Sequence, residues 1–288
     1  MKVAVLGYSN TDNIGDNIQT LAVAQHMGQE FSILDRDFLS RYDGEPCIVV
    51  MNGWFSHEPQ NWPPSDKVIP IFFGFHMTEK AAEAYSRHKD YFKRFEPIGC
   101  RDEGTAEIIR KWGVEAYVSG CATMTFPARA KSPENGVNFL VDVATVFFDR
   151  SERKQYRRNT HMFDFKFASH ETKNKLAKEL LTYYRQSAKS MITSRIHCAM
   201  PCFAMGIPVI YCGVKEYRTS IIESIGIKTA SFSRFKRLKH SSLDFAVPNY
   251  EARKIEIARD LRKRLSEHGV SLAHWDAQEK ETPDSFLS

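Results

Sequence analysis

Short apolar runs alternate with longer amphipathic stretches along most of this chain. We expect Asp16, Thr78 and Asp102 to cap the helices that they precede. The apolar runs predict buried strands at 3–8, 31–35, 47–53, 67–75, 97–101, 116–121, 137–142, 191–194 and 208–213. The amphipathic or longer stretches predict helices at 16–27, 78–95, 102–113, 171–188, 196–206, 216–226 and 251–268. This alternation indicates α/β units with parallel strands.

The pattern stops at 127–136, a stretch rich in Pro, Gly, Ser and Lys without apolar periodicity. We place a domain boundary there. The prediction is an N-terminal α/β domain at 1–130, a C-terminal α/β domain at 131–250 and a basic helix with a tail at 251–288. Two doubly wound domains of this kind face each other across a central cleft. The segment 149–170 is polar and aromatic and matches neither pattern.

Composition narrows the class of protein. The 288 residues are 42% hydrophobic with a mean hydropathy of −0.41, which suits folded domains. No apolar run approaches a membrane span, and the first run is too short for a signal-peptide core. The six cysteines therefore predict reduced thiols in a cytoplasmic protein. A net charge of +5 suits an anionic partner, but no nucleic-acid-binding motif is present, so we expect no nucleic acid.

Familiar cofactor motifs are missing, which predicts a protein without a metal or a redox cofactor. The first strand is followed neither by G-x-G-x-x-G nor by a P-loop. "DRD" at 35–37 has an acid-x-acid form that metal-dependent glycosyltransferases use, but a solvated turn is the simpler interpretation. Cys198 and Cys202 share one helix face with no second pair of ligands, so they are expected to be buried structural thiols.

"SRIH" at 194–197 carries the clearest chemical signal. Arg195 and His197 interrupt an apolar segment where a strand becomes a helix. A buried arginine needs an anionic partner, and the helix N-terminus favours the same anion. His197 transfers protons near neutral pH. Arg195 and His197 are therefore candidate catalytic and ligand-binding residues, with an internal salt bridge and a core histidine as the alternative.

Two further turns resemble this arrangement. "NIGDN" at 13–17 follows the first strand, with Gly15 allowing a tight turn and Asp16 near the helix start. Arg101 in "GCRDEGT" again stands at the carboxyl end of a strand. Such ends collect at one edge of a parallel sheet. Arg195 and Arg101, one from each half, would bind a small dianion or trianion. A plain capped helix start is the alternative for the turn at 13–17.

The loop "NGWFSHEPQNWPP" at 52–64 combines aromatic, amide and imidazole side chains. Such groups stack on sugar rings and bond to hydroxyls. Trp54, His57, Asn61 and Trp62 are therefore candidate sugar-binding residues, and an ordinary packed loop is the alternative.

These motifs resemble the polysaccharide pyruvyl transferase family. The resemblance rests on "NIGDN", "CRDEGTAEIIRKWGV", "ITSRIHCAMPCFAMGIPVI" and "VKEYRTSIIESIGI" in this order, over roughly residues 1–230. It implies a GT-B-like fold of two Rossmann-type domains. It also implies that phosphoenolpyruvate is the donor, that a sugar of a surface polysaccharide or its precursor is the acceptor, and that a pyruvate ketal and phosphate are the products.

The family motif assigns Arg195 and His197 to the donor, with Arg101 as the matching arginine of the other domain. Gly15 and Asp16 would lie on the same donor site. Two departures stand out: "MNGWF" replaces the glycine-rich run that many members have, and Cys198 replaces a glycine after the histidine. The first departure leaves the acceptor sugar open.

Two other functions remain open. A GT-B glycosyltransferase that uses a nucleotide sugar would have the same fold, with Glu216 or Glu223 as a ribose ligand. A non-catalytic glycan-binding protein is the second alternative. The segments 234–240 and 251–265 are basic, with Arg259, Arg262 and Lys263 on overlapping helix faces. One interpretation of these basic residues is peripheral contact with the inner membrane face, where lipid-linked glycans are found. The other is an ordinary solvated helix face.

Overall fold

The computed structural model describes residues 1–214, 217–231, 239–245 and 249–278. The strands of this part are β1 (Lys2–Gly7), β2 (Ser32–Asp35), β3 (Cys47–Val50), β4 (Gly53–Trp54), β5 (Val68–Ile71), β6 (Phe75–His76), β7 (Ile98–Cys100), β8 (Ala116–Val118), β9 (Val137–Val141), β10 (Tyr156–Asn159), β11 (Ala188–Thr193), β12 (Val209–Tyr211) and β13 (Lys228–Thr229). The α-helices are α1 (Ile14–Ala24), α2 (Glu79–Tyr85), α3 (Lys89–Arg94), α4 (Glu103–Arg110), α5 (Arg150–Arg153), α6 (His170–Ser187), α7 (Ile196–Ala204), α8 (Ser220–Ser224) and α9 (Glu251–Glu267).

The first half contains two parallel sheets that the chain joins end to end. One has the order β2-β1-β3-β5 and the other β4-β6-β7-β8. Strand β3 leads through Met51 and Asn52 into β4, and β5 leads through 72–74 into β6. Gly74 lies in this second break with a φ of +68°, and a Cβ there would lie 2.1 Å from the Asn52 side-chain oxygen. Glycine is therefore required at this bend.

The second half has one parallel sheet, in the order β10-β9-β11-β12-β13. Most buried positions of its central strands β9 and β11 are apolar, with Ser190 and Thr193 as the exceptions, as expected for strands covered on both faces. Every named strand pair in both halves is parallel. The predicted α/β fold with parallel sheets is confirmed, and β8 and β9, on either side of 119–136, belong to different sheets.

One apolar core runs through both halves. Helix α1 packs against α6 and α7, so the first half contacts the second through helices. The buried cluster combines side chains such as Val5 and Ile18 with Phe139, Leu181 and Met200. The halves are therefore joined by close-packed apolar contacts. The domain limits at 130 and 250 stay predictions.

Helix α9 contacts both halves. Tyr117, on the edge strand β8 of the first half, donates a 2.5 Å hydrogen bond to Asp260. Lys254 donates a 2.7 Å bond to the Ala204 carbonyl at the end of α7. The helix lies where the sequence predicts one, and its buried face closes the same core. No helix in the described ranges is long and apolar enough to cross a bilayer.

Three local predictions are resolved by the hydrogen bonds. Thr78 and Asp102 cap their helices as predicted, through bonds from the amides of Ala81 and Thr105. Helix α1 is capped by Asn13 instead of Asp16, because the chain turns helical two residues before the acid that sequence reasoning chose. The single helix expected at 78–95 is broken by a 3-10 turn at 86–88.

Candidate functional site

The turn before α1 lies directly against the first turn of α7. A Cβ built on Gly15 would lie 3.0 Å from the His197 Cβ, closer than such atoms normally approach. It would lie equally close to the Asn13 side-chain oxygen, which accepts a 3.1 Å bond from the Gly15 amide. No side chain fits at Gly15 without displacing these neighbours. The structure therefore brings together the "NIGD" and "SRIH" motifs, which are far apart in sequence.

Arg195 is held by a carboxylate that the sequence did not identify. Its Nε lies 2.8 Å from Asp142 Oδ2, and its side chain is 35% exposed. Among the described residues, Asp142 is the ion-pair partner of the Arg195 side chain. Asp142 follows β9 and has a φ of 52°, the left-handed conformation that a short polar side chain tolerates. The Nε of Arg195 therefore forms the internal salt bridge that was the alternative interpretation of this residue. The side chain is nevertheless partly exposed and reaches the surface.

Asp142 is itself well supported. Thr160 Oγ1 donates a 2.6 Å bond to Oδ1, and the His161 amide donates a 3.0 Å bond to Oδ2. Burial acts to raise the pKa of Asp142. The bonds from Thr160, the His161 amide and Arg195 outweigh burial, so the pKa lies below its usual range. Asp142 therefore stays ionised near neutral pH and fixes the orientation of Arg195.

His197 lies at a kink in the first turn of α7. Its φ of −84° and ψ of 16° fall outside the helical region, and it is 8% exposed. The turn is fixed on both sides, because the Arg195 amide donates to Thr193 Oγ1 and the Arg195 carbonyl accepts from the Cys198 and Ala199 amides. The imidazole is thus carried by a rigid turn at the carboxyl end of β11.

Asp16 is buried in the first turn of α1. Thr11 Oγ1 donates a 2.9 Å bond to its carboxylate. Burial raises the pKa of Asp16, although the charges of Arg36 and His57 act to lower it. Arg36 and His57 belong to a second group of polar residues, which follows β2 and β4.

This second group consists of Arg36, Asp37 and His57. The Arg36 guanidinium donates from Nε and Nη2 to the two Asp37 oxygens, at 2.8 and 2.9 Å, and from Nη1 to the Trp54 carbonyl. His57 Nδ1 lies 2.9 Å from Asp37 Oδ2. "DRD" is therefore a buried ion pair, not the solvated turn that the sequence suggested. The described residues contain no group of three or more side chains suited to a metal ion.

The other predicted sugar-binding residues surround this group unequally. Trp54 and Asn61 are half-buried, and Asn61 Nδ2 donates a 2.8 Å bond to the Asp37 carbonyl. Trp62 is 8% exposed and stacks on Phe92 at 5.1 Å between ring centroids. Its indole belongs to the aromatic core. A small pocket, partly open to solvent and with room for about one water molecule, is lined here by Arg36, Asp37, Leu39, Phe55, Glu58, Asn61, Trp62, Pro64 and Tyr85.

Arg101 is buried at the carboxyl end of β7. It is 2% exposed, and its Nε lies 3.4 Å from Asp102 Oδ2 without hydrogen-bond geometry to any described residue. His76 Nδ1 lies 2.7 Å from the same carboxylate. Burial acts to raise the pKa of Asp102, but the bond and charge of His76 and the charge of Arg101 lower it to about 2. The ion pair of Arg101 is thus with Asp102, the residue that follows it in the chain.

The sequence model of the polysaccharide pyruvyl transferase family matches residues 13–216. The chain belongs to this family. Every candidate site residue described above lies within the match, whereas α9 lies outside it. The sequence resemblance is therefore confirmed, and the family supports a pyruvyltransferase activity.

Solved structures give a more distant comparison. A functionally uncharacterised protein from Klebsiella pneumoniae is 12% identical, with a TM-score of 0.50 over 80% of this chain and 92% of its own. This similarity shows a shared fold. A structure described as the glycotransferase of kitacinnamycin is also 12% identical over 93% and 95% of the two chains, but its TM-score of 0.34 is too low to inform the fold or the function. No curated protein matches significantly.

This pyruvyl transferase contains site residues that its sequence did not reveal. Lys173 on α6 is fully buried, and its Nζ donates to the carbonyls of Tyr8, Ser9 and Lys166 at 3.2, 2.7 and 3.0 Å. Burial lowers the pKa of its ammonium group. Lys173 thus fastens the loop after β1 to the second half. Only its position on the apolar side of an amphipathic helix could have indicated this.

Proposed function

We propose that this protein transfers the pyruvyl group of phosphoenolpyruvate onto two hydroxyls of a sugar in a surface polysaccharide or its precursor. The products are a pyruvate ketal and phosphate. The proposal includes a GT-B-like arrangement in which the second half binds the donor and the first half the acceptor. The family supports the pyruvyl transfer, and the approach of Gly15 to His197 is the observation that carries the site assignment.

The donor needs cationic groups for both its carboxylate and its phosphate. In the proposal Arg195 and Arg101 supply them, and the amides at the start of α1 and α7 add donors for the same anion. Arg101 is buried beside Asp102, but its Nε makes no hydrogen bond among the described residues, so this donor is available to an anion. Asp142 orients Arg195 for this contact. Gly15 keeps the space beside His197 free of a side chain.

The chemistry requires one proton on the donor and loss of two from the acceptor. His197 protonates the methylene carbon, and C2 becomes cationic. One sugar hydroxyl then adds to C2, the C2–O bond to phosphate breaks, and the second hydroxyl adds. One hydroxyl proton balances the new methyl group, and the other leaves with phosphate. General acid catalysis of this kind contributes ~10²–10⁴-fold, and the scheme requires no metal or redox cofactor.

The acceptor side is assigned to the loop that carries Trp54, His57, Asn61 and Trp62. Trp54 and Asn61 remain partly accessible, and the pocket beside Asn61 offers polar groups for hydroxyls. Trp62 would contribute by forming part of the pocket wall, because its ring is packed in the core. A free sugar or a lipid-linked glycan fits this proposal equally.

The test combines purified protein, phosphoenolpyruvate and a panel of p-nitrophenyl hexosides. Phosphate release is followed by ³¹P NMR, and a new methyl singlet identifies the ketal, whereas vinyl protons would identify an enolpyruvyl product. His197→Gln should lower turnover by roughly 10²-fold or more, and His268→Gln, which changes an exposed histidine at the end of α9 outside the family match, should leave it unaltered. Stabilisation by nucleotide sugars but not by phosphoenolpyruvate would indicate a glycosyltransferase. Glycan binding without turnover would indicate a binding protein.

The proposal also places the enzyme in the cytoplasm, in peripheral contact with the inner membrane face. On α9, Arg259 and Lys263 are exposed, and Arg262 is half-buried, where burial lowers its pKa. Residues 234–238 of the other basic segment lie outside the described residues. Binding to anionic vesicles that fades with salt and with R259E/K263E supports the contact. Equal partitioning onto neutral vesicles, or no binding at low salt, refutes it.

A further inference from the structure

We propose that His57, held by Asp37, is the general base that removes the proton from the attacking acceptor hydroxyl. This inference rests on the proposed pyruvyl transfer and assigns a catalytic residue to its acceptor half. Asp37 and His57 come from different loops, after β2 and after β4, and their side chains meet at 2.9 Å. The pair is separate from the "SRIH" turn that binds the donor.

The geometry is that of a carboxylate which positions an imidazole. Asp37 is 6% exposed, and its Oδ2 lies 2.9 Å from His57 Nδ1. The His57 side chain is 30% exposed, so the rest of the ring reaches the surface. Asn61 fixes the Asp37 backbone through its bond to the carbonyl. A buried orienting acid and a partly accessible ring are the arrangement that general bases require.

The charges around the ring fix its tautomer. Burial acts to raise the pKa of Asp37, but the bonds and charge of Arg36 and the bond from His57 lower it, so Asp37 is ionised. An ionised carboxylate requires that Nδ1 carry the proton, which leaves the Nε2 lone pair free to accept one. Arg36 balances the charge of Asp37. Glu58 also faces the ring, with Oε1 3.9 Å from Nδ1, and His57 and Asp16 act on each other electrostatically.

His57 is linked to the donor turn through Asp37. The Asp37 amide donates a 2.9 Å bond to the Asp35 carboxylate, which also accepts a 2.7 Å bond from the Ser9 amide in the loop that leads to Gly15. Gly15 abuts His197, and Asp37 also lines the pocket. A hydroxyl bound between the pocket and the donor would therefore approach the ring. The two histidines then divide the proton transfers between donor and acceptor.

The step is balanced at the level of single protons. The hydroxyl O–H bond breaks as its oxygen bonds to C2, and the proton moves to His57 Nε2. The resulting imidazolium keeps its Nδ1–H bond to Asp37. The imidazolium then protonates the departing phosphate oxygen and returns to the neutral form. Neutral His57 next accepts the proton of the second hydroxyl and releases it to solvent. This proton replaces the one that His197 gave to the methylene carbon.

The first experiment compares His57→Gln and Asp37→Asn with His268→Gln, which changes an exposed histidine at the end of α9. His57→Gln should lower kcat by roughly 10²-fold or more, with phosphoenolpyruvate affinity within about twofold of wild type. It should also abolish the acidic limb of the kcat–pH profile. Asp37→Asn should lower kcat and shift that limb, and His268→Gln should change neither. Melting temperatures show whether each variant is folded.

The second experiment does not depend on turnover. ¹⁵N-edited NMR of the wild-type histidine rings, assigned by the signal lost in His57→Gln, should show the Nδ1–H tautomer for His57. An Nε2–H tautomer overturns the inference even if Asp37→Asn fails to fold. If the wild-type enzyme is active and His57→Gln has the same kcat–pH profile, the inference is overturned but the proposed function stands. Wild-type protein that neither binds phosphoenolpyruvate nor releases phosphate overturns the proposed function, and the inference with it.

Discussion

Replacement of Arg195 by alanine gives the most direct measurement of the donor site. The substitution removes a guanidinium whose Nε bonds to Asp142 and whose side chain is about one-third exposed. Asp142 keeps its bonds from Thr160 and the His161 amide, so its carboxylate is not left without donors. The variant should therefore fold and lose mainly the contact with the anionic donor.

The magnitude follows from the kind of contact that is lost. A hydrogen bond to a charged group contributes about 1.5–3 kcal/mol, and a guanidinium that binds an anion through two nitrogens contributes at the upper end. We expect a loss of about 2–4 kcal/mol in donor affinity or in kcat/KM, which is roughly 30- to 1000-fold. Loss of the partly exposed Asp142 pair should cost about 1 kcal/mol or less of stability. Arg195→Lys should fall in between, because an ammonium group cannot bond to Asp142 and the donor with a planar fork.

Isothermal titration with phosphoenolpyruvate and the phosphate-release assay measure the two quantities. Arg264→Ala is the matched control, since Arg264 also forms an ion pair through Nε, 3.3 Å from Asp260 on α9. It should lower the melting temperature without changing donor affinity. Wild-type affinity and turnover in folded Arg195→Ala would show that the arginine serves only its salt bridge, and the donor assignment would be wrong.

Three further predictions concern the same turns. Gly15→Ala should displace His197 and lower turnover by about 10-fold or more, with little change in the free energy of unfolding. An unchanged turnover would show that His197 tolerates a side chain at position 15. The pKa of Asp142 is lowered by folding, so its stabilising effect is present above about pH 4 and is lost as pH falls through the folded-state pKa. Urea unfolding of Asp142→Asn should accordingly differ from wild type at neutral pH and converge with it in acid; a constant difference would contradict this. Lys173→Met should destabilise the protein by about 3 kcal/mol, because three carbonyls lose a buried donor, and wild-type unfolding would refute that role.

Much of the architecture was predictable because it depends on local pattern. Apolar runs between turn residues predicted the parallel strands, and the polar pair in "SRIH" stood out against an apolar background. Since carboxyl ends of parallel strands share an edge, a common site for Gly15 and His197 was a reasonable expectation. The resemblance to the family strengthened it.

The unpredicted residues depend on contacts between distant segments. Asp142 and Lys173 look like ordinary solvent-exposed charges in sequence, and only the folded chain shows the first beside Arg195 and the second beneath the loop after β1. Trp62 was misleading in the opposite sense. Aromatic residues in a polar loop suggest exposure, but this ring closes a cluster with Phe92 that no local pattern indicates. Arg36 was misleading in a similar way. Its neighbours in sequence suggested a solvated turn, but its guanidinium is buried in an ion pair with Asp37.

The continuous core between the halves has a consequence for protein engineering. Enzymes whose donor and acceptor units meet through polar surfaces lend themselves to recombination, in which one unit is exchanged for that of a relative. Here the side chains of α1 interdigitate with those of α6 and α7, and α9 packs on both sides of the junction. A chimera joined near residue 130 would place two unrelated apolar surfaces together, with voids and overlaps that each cost several kcal/mol. If the loop at 52–64 binds the acceptor as we propose, acceptor specificity should therefore be changed by grafting that loop into this scaffold, and not by exchanging whole halves.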